Sequence, residues 1–199
     1  MRKTVGINGF DSDSRSCHLL LMHMSPRQLF FLIVLCLTFP AVLQVGYAAA
    51  ETPKDEKTYT LGSVVNFGAG GEAGKFKTSG WSNAEKEFTW TEGKGAKLSL
   101  TLAQGEAALT LRMKLVGLIH PPEVSSQPVE VYVNGQKIAE WQVAAPANFT
   151  ATIPQKIAAT KQLEIELRTP GSTTPKALKM NEDTRVLGVA CYELAISKE

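Results

Sequence analysis

The chain has 199 residues, 44% of them apolar and 20% charged, with a formal net charge of +2. That is enough apolar sequence for one ordinary core, and too near neutrality for a domain that holds nucleic acid or an anionic membrane by bulk charge. From Glu51 onward 17 Lys and Arg face 17 Asp and Glu, so the small excess belongs to the first fifty residues.

Those first residues predict export. Arg27 precedes an almost unbroken apolar run over 29–45, and Tyr47-Ala48-Ala49-Ala50 places small residues at 48 and 50, where a signal peptidase requires them. The expected organisation is an upstream extension over 1–23, a signal peptide over 24–50 cleaved after Ala50, a short polar leader over 51–60, and one domain over 61–199. Met22 or Met24 supplies the ordinary start. The mature part is then periplasmic or extracellular, with no membrane span. The alternative is an uncleaved anchor, although 17 apolar residues interrupted by Pro40 and Gln44 are at the short limit for a span. Leu35 stands where a lipoprotein signal needs a small residue before Cys36, so lipidation is excluded. Of three cysteines only Cys191 lies beyond residue 50, which leaves no disulfide framework.

Along the rest of the chain the apolar period is two. Residues 58–61 and 64–67 are short β-prone runs, ended by Gly68-Ala69-Gly70-Gly71, which reads as a flexible turn. Residues 88–91 follow. Lys97-Leu98-Ser99-Leu100-Thr101-Leu102 alternates cleanly, and 109–115 does so again, as a sheet with one wet and one buried face requires. Asn134-Gly135 between 129–133 and 136–141 predicts a hairpin, because both residues tolerate the positive φ of a type I′ turn. Residues 149–153 and 163–168 alternate as well. The last strand, over 186–196, is nearly all apolar at its centre and is expected mid-sheet. A single short helix fits 154–160, and 169–184 is a long polar connection with one helical turn near Pro175. About eight or nine strands with long connections predict an all-β fold, a jelly-roll β-sandwich.

Little in this chain offers chemistry. His120 is the one histidine beyond residue 50, and no His, Cys and carboxylate cluster has metal-ligand spacing. No metal site and no cofactor are expected, with a structural Ca²⁺ at Asn181-Glu182-Asp183 left open against a plain polar turn. No Gly-x-Ser-x-Gly elbow exists for a serine hydrolase, and the glycine run lacks the lysine of a phosphate loop. The aromatic residues offer more. Trp81, in Ser79-Gly80-Trp81-Ser82-Asn83, sits in a loop-like segment, where an indole stacks on the C–H face of a sugar or caps the core. Trp90 and Trp141 lie within strands and are expected in the core. Arg185 is placed to pair with Glu85 or Asp183, or to grip a ligand.

Three stretches together, Val65-Asn66-Phe67-Gly68-x-Gly70-Gly71, Gly80-Trp81-Ser82-x-x-Glu85 and Phe88-Thr89-Trp90-Thr91-x-Gly93, resemble a β-module that accompanies bacterial membrane-bound sugar and phosphoglycerol transferases. Val129 to Gly135 with Trp141, Ile153-Pro154, Thr174-Pro175-x-x-Leu178 and Asp183-x-Arg185-x-Leu187-Gly188 extend the resemblance over roughly 61–196. It implies a galactose-binding-type jelly roll and a place in cell-surface glycan assembly or recognition. It does not imply catalysis, since in such proteins the transfer chemistry lies in other domains.

The expected function is therefore a non-catalytic exported module, not an enzyme, whose partner is a glycan or an envelope glycan-assembly protein. Trp81 is the expected platform, Glu85 the acceptor for a hydroxyl and Arg185 the donor. The alternatives are a structural or protein-interaction sandwich without saccharide affinity, and a hydrolase whose carboxylates carry no linear signature.

Overall fold

The structure is a computed structural model, described over residues 57–199; the expected extension over 1–23 and the expected signal peptide over 24–50 lie outside the described residues. Eleven strands occur among them: β1 (Thr58–Tyr59), β2 (Val64–Asn66), β3 (Lys77–Ser79), β4 (Thr89–Glu92), β5 (Gly95–Leu102), β6 (Leu109–Gly117), β7 (Gln127–Val133), β8 (Gln136–Val143), β9 (Ala147–Ile153), β10 (Gln162–Arg168) and β11 (Leu187–Lys198). One short helix, α1 (Gln155–Ala158), falls within the expected segment. Every strand but β3 overlaps a β-prone run read from the sequence, and β3, with three residues, carries too few side chains to show a period.

The strands form two sheets packed as a jelly-roll sandwich. One has the order β1-β5-β10-β7-β8, with β3 also on β5; the other has the order β2-β11-β6-β9, with β4 also on β11. All pairings are antiparallel except β1 on β5. Alternation drives this arrangement. Leu98, Leu100 and Leu102 on β5 meet Leu111, Met113 and Leu115 on β6 in one interior that excludes solvent. Each such side chain contributes roughly 1.5–3 kcal/mol by leaving water. Asn134 and Gly135 take φ of 49° and 78°, and the hairpin between β7 and β8 forms as its sequence requires.

Two features depart from simple alternation. β11 slips register between Cys191 and Glu193, so that Tyr192 and Glu193 together oppose Lys114 of β6. The extra residue is a β-bulge. It keeps Cys191 and Leu194 both in the core while Tyr192 and Glu193 lie outside it. The second departure is that the domain starts before the expected Leu61. Tyr59 is buried in the core, and its strand pairs with β5.

Tyr59 also joins the sheets. Its hydroxyl accepts the backbone N–H of Ile196 at 2.8 Å and donates to the carbonyl of Ser63. An edge strand of one sheet is thereby tied to the central strand of the other. Tyr59→Phe leaves the ring in place but strips the buried Ile196 amide of its partner, a loss of about 2 kcal/mol. The expected outcome is a lower urea midpoint at unchanged slope; an unmoved midpoint removes this role from the hydroxyl.

Candidate functional site

The two outer faces of the sandwich treat their charges differently. On the β5-β10-β7-β8 face every cation has an acid. Lys97 Nζ lies 2.9 Å from Glu164, Arg168 Nε lies 2.8 Å from Glu166, and Lys137 Nζ lies 3.0 Å from Glu130 and 2.8 Å from Glu140. The hydrogen bond from Arg168 holds the Glu166 carboxyl below its ordinary range. Arg168 further covers the ring of Tyr132, at 4.0 Å from the centroid. This is a solvated, self-neutralised surface, worth little in stability pair by pair.

The face built by β2, β11, β6 and β9 is different. A cleft of about 370 Å³ opens there, lined by Asn66, Lys86, Glu87, Lys114, Tyr192 and Glu193. Register places Glu193 between Asn66 and Lys114, with Asn148 beyond Lys114. Lys114 Nζ sits 5.5 Å from the Tyr192 ring centroid. Phe88 packs on the same ring at 5.1 Å, and Trp90 meets Phe88 edge-on at 5.7 Å. Among the described residues, the side chains of Asn66, Lys86, Glu87 and Glu193 and the hydroxyl of Tyr192 have no hydrogen-bond or ion-pair partner. The surface thus combines an aromatic platform with unused donors and acceptors.

The turn over 68–71 walls this cleft and is not the flexible segment expected. Ala69 N donates to Glu85 O at 2.7 Å and Gly71 N to Gly68 O at 2.9 Å. A Cβ on Gly68 would stand 2.6 Å from the carbonyl oxygen of Lys86, and one on Gly71 would run into that of Asn66. Glycine is needed there for close approach, which the bare spacing of glycines does not distinguish from freedom.

The structure brings two of the three expected site residues together. Arg185 lies 3.6 Å from Glu85, but its guanidinium is chiefly committed to Asp183, through Nη2 at 2.6 Å and Nε at 3.0 Å. Trp81 makes no hydrogen bond or ring contact with that pair. Its Nε1 donates to Lys97 O at 2.7 Å, and its ring packs on buried Phe67 at 5.2 Å. It caps the core while remaining half-exposed. Trp141 is a core residue, as expected; Trp90 is half-buried over Leu118, Leu178 and Leu187 in a small satellite cluster. Sequence reasoning missed Tyr192 and the cleft residues of the 86–88 segment. The apolar phase change between Val189-x-Cys191 and Leu194-x-Ile196 was the available signal for the bulge.

The residues considered for a Ca²⁺ are otherwise engaged. Glu182 pairs with Lys176 at 2.8 Å, Asp183 holds Arg185, and Asn181 Oδ1 accepts the Asp183 amide at 2.8 Å. These side chains do not fit a cation site. The side chain of His120 has no hydrogen-bond partner among the described residues, so no acid orients it as a base.

No protein-family model matches the chain, and no curated protein does. Among solved structures, similarity extends to a CBM36 domain of a multidomain xylanase from the hindgut metagenome of Trinervitermes trinervoides, with 13% identity over 69% of this chain and 97% of that one at a TM-score of 0.43. A carbohydrate-binding module CBM36 in complex with calcium and xylotriose is 11% identical over 68% of this chain and 99% of that one, at 0.41. The CBM6 of a laminarinase from Zobellia galactanivorans is 8% identical over 68% and 98%, at 0.40. No residue role passes from these proteins to this chain at such identity.

Two outcomes follow from the geometry. The hydrogen bonds from Arg185 depress the Asp183 carboxyl below its ordinary range. A depressed folded-state pKa stabilises the fold above the unfolded value, about 3.9, and that contribution is lost as pH falls through the folded value. An NMR titration should show the Asp183 pKa rising toward the ordinary range in Arg185→Gln, with the backbone N–H of residue 185 retaining part of the depression; an unmoved titration contradicts the assignment. Trp81→Ala removes core-capping contact and a hydrogen bond, and should cost about 2–3 kcal/mol in chemical denaturation.

Proposed function

We propose that this protein is an exported, non-catalytic module that binds a cell-surface glycan in the Tyr192 cleft. The observation that supports the reading is the contrast between the faces. One pairs nearly every charge internally, whereas the other leaves hydrogen-bonding groups unused around an aromatic ring. Sugars need that combination: an apolar ring for their C–H faces, and polar groups at the rim that fix hydroxyls. Glu87, Glu193 and Asn66 accept hydroxyl protons; Lys86, Lys114 and Asn66 donate.

In this reading Trp81, Glu85 and Arg185 act behind the surface. Glu85 O anchors the glycine turn, Arg185 holds Glu85, and Trp81 supports Phe67, whose backbone N–H in turn donates to Tyr192 O at 2.9 Å. Direct contact of Trp81 with a sugar remains the competing assignment. The resemblance to transferase-associated modules favours an envelope glycan, or a protein that assembles it, as the partner.

The test is saccharide titration of the wild type, Tyr192→Ala and Trp81→Ala, followed by tryptophan fluorescence. Tyr192→Ala should weaken binding about tenfold or more, on the order of 1–2 kcal/mol, with the fold retained. Trp81→Ala should lower stability while leaving affinity within a few-fold. The reverse pattern moves the site to Trp81. Release of reducing sugar, abolished in Glu193→Gln, overturns the non-catalytic assignment, and a stable protein complex without saccharide affinity favours a docking role.

A further inference from the structure

The same face carries a feature that a neutral sugar does not require. Arg112 projects from β6 two residues before Lys114, which places the two cations about 7 Å apart along the strand. Cross-strand neighbours are where a sheet normally supplies a counter-charge. On the opposite face it does so: Lys97 finds Glu164, and Lys137 finds Glu130. Arg112 instead stands between Ala195 of β11 and Thr150 of β9, and Lys114 between Glu193 and Asn148. Among the described residues Arg112 has no ion-pair or hydrogen-bond partner, and Lys114 contacts only the Tyr192 ring. Glu193 lies opposite Lys114 without forming an ion pair, and no acid stands directly across from Arg112. Both neighbours of Arg112 are small, and Arg112 is exposed.

We infer that the ligand of this face is an anionic glycan, bearing a carboxylate or phosphate substituent that Arg112 grips while the sugar ring rests at Tyr192. This rests on the glycan reading above and deepens it. A guanidinium presents paired N–H donors that match a carboxylate or phosphate bidentately, and Lys114 adds a point charge on the side nearer the cleft. The cleft itself is balanced, with Lys86 and Lys114 against Glu87 and Glu193, so the unbalanced charge is that of Arg112. A ligand that covers both meets an unmatched positive charge beyond the cleft, above β6, which a negative substituent complements.

The experiment is a glycan array containing uronic-acid, phosphorylated and neutral glycans, probed with the purified protein, Arg112→Gln, Arg112→Lys and Tyr192→Ala. Each acidic hit is then compared with its carboxyl-reduced or dephosphorylated counterpart. The expected result is that hits are acidic, bind at least tenfold tighter than the neutralised counterparts, and weaken as salt rises. Arg112→Gln should remove the tenfold preference while leaving neutral binding unchanged, and Arg112→Lys should restore part of it. Uronic-acid hits alone identify a carboxylate as the substituent, and phosphorylated hits alone a phosphate. Hits that bind equally well after neutralisation overturn the charge inference and leave the glycan reading standing. An array blank throughout, on protein whose circular dichroism shows an intact sandwich, overturns both.

Discussion

The site depends on one slip in register. β11 is the longest strand, hydrogen-bonded to β2 and β4 on one side and to β6 on the other. Its apolar residues must all reach the interior, because a two-residue period sends any out-of-phase side chain to the opposite face. Val189 and Cys191 share one phase, and Leu194 and Ile196 share the other. Only an extra residue between them lets all four be buried. The bulge therefore serves the core first. Its by-product is a tyrosine and a glutamate set side by side on the outer surface, which regular alternation cannot provide. Bulges that re-aim side chains are common beside functional sites, and here the packing requirement and the site geometry share one cause.

What surrounds that bulge is held firmly. Phe67 N donates to Tyr192 O at 2.9 Å, Thr89 Oγ1 donates to Phe67 O, and the glycine turn is tied to Glu85. Thr91 Oγ1, buried, accepts Val189 N at 3.0 Å and fills a gap in the β4–β11 ladder where the register slips. The ring, the turn and the 86–88 segment are thus anchored to the central strand through backbone groups. A cleft fixed in this way loses little ordering entropy when occupied, which under the proposed reading matters because each contact a sugar makes is weak.

Alternation made most of the sandwich legible. β5, β6, β7 and β10 show it without interruption, and Asn134-Gly135 announced its hairpin. β3 escaped because three residues carry no period; the run over 58–61 was legible as β-prone, but a buried Tyr59 looks no different in sequence from an exposed one. The candidate site was less legible. Tryptophan draws attention for its size, but Trp81 spends its N–H on Lys97 O and its ring on Phe67. Arg185 was correctly paired with Glu85 and Asp183 as alternatives; the structure gives it both. Tyr192 escaped because its orientation depends on a phase error two residues long. The cleft also needs Lys86, Lys114 and Asn66, which are far apart in the chain and gathered only by strand order.

Net charge is a poor guide to such a surface. The segment from Glu51 onward is neutral, and by that measure nothing steers an anionic ligand from a distance. The neutrality is unevenly distributed. Glu130, Glu140, Glu164 and Glu166 are all consumed by the cations of one sheet face, which leaves Arg112 and Lys114 on the other without matching acids in contact. Within a Debye length of about 8 Å such local imbalance acts almost alone, and beyond it the domain is electrically silent. Under the proposed reading, recognition by this face comes from contact and register rather than from long-range attraction. That favours a ligand presented at high local density, as a glycan repeating along a cell surface is, over a dilute one that must be drawn in from solution.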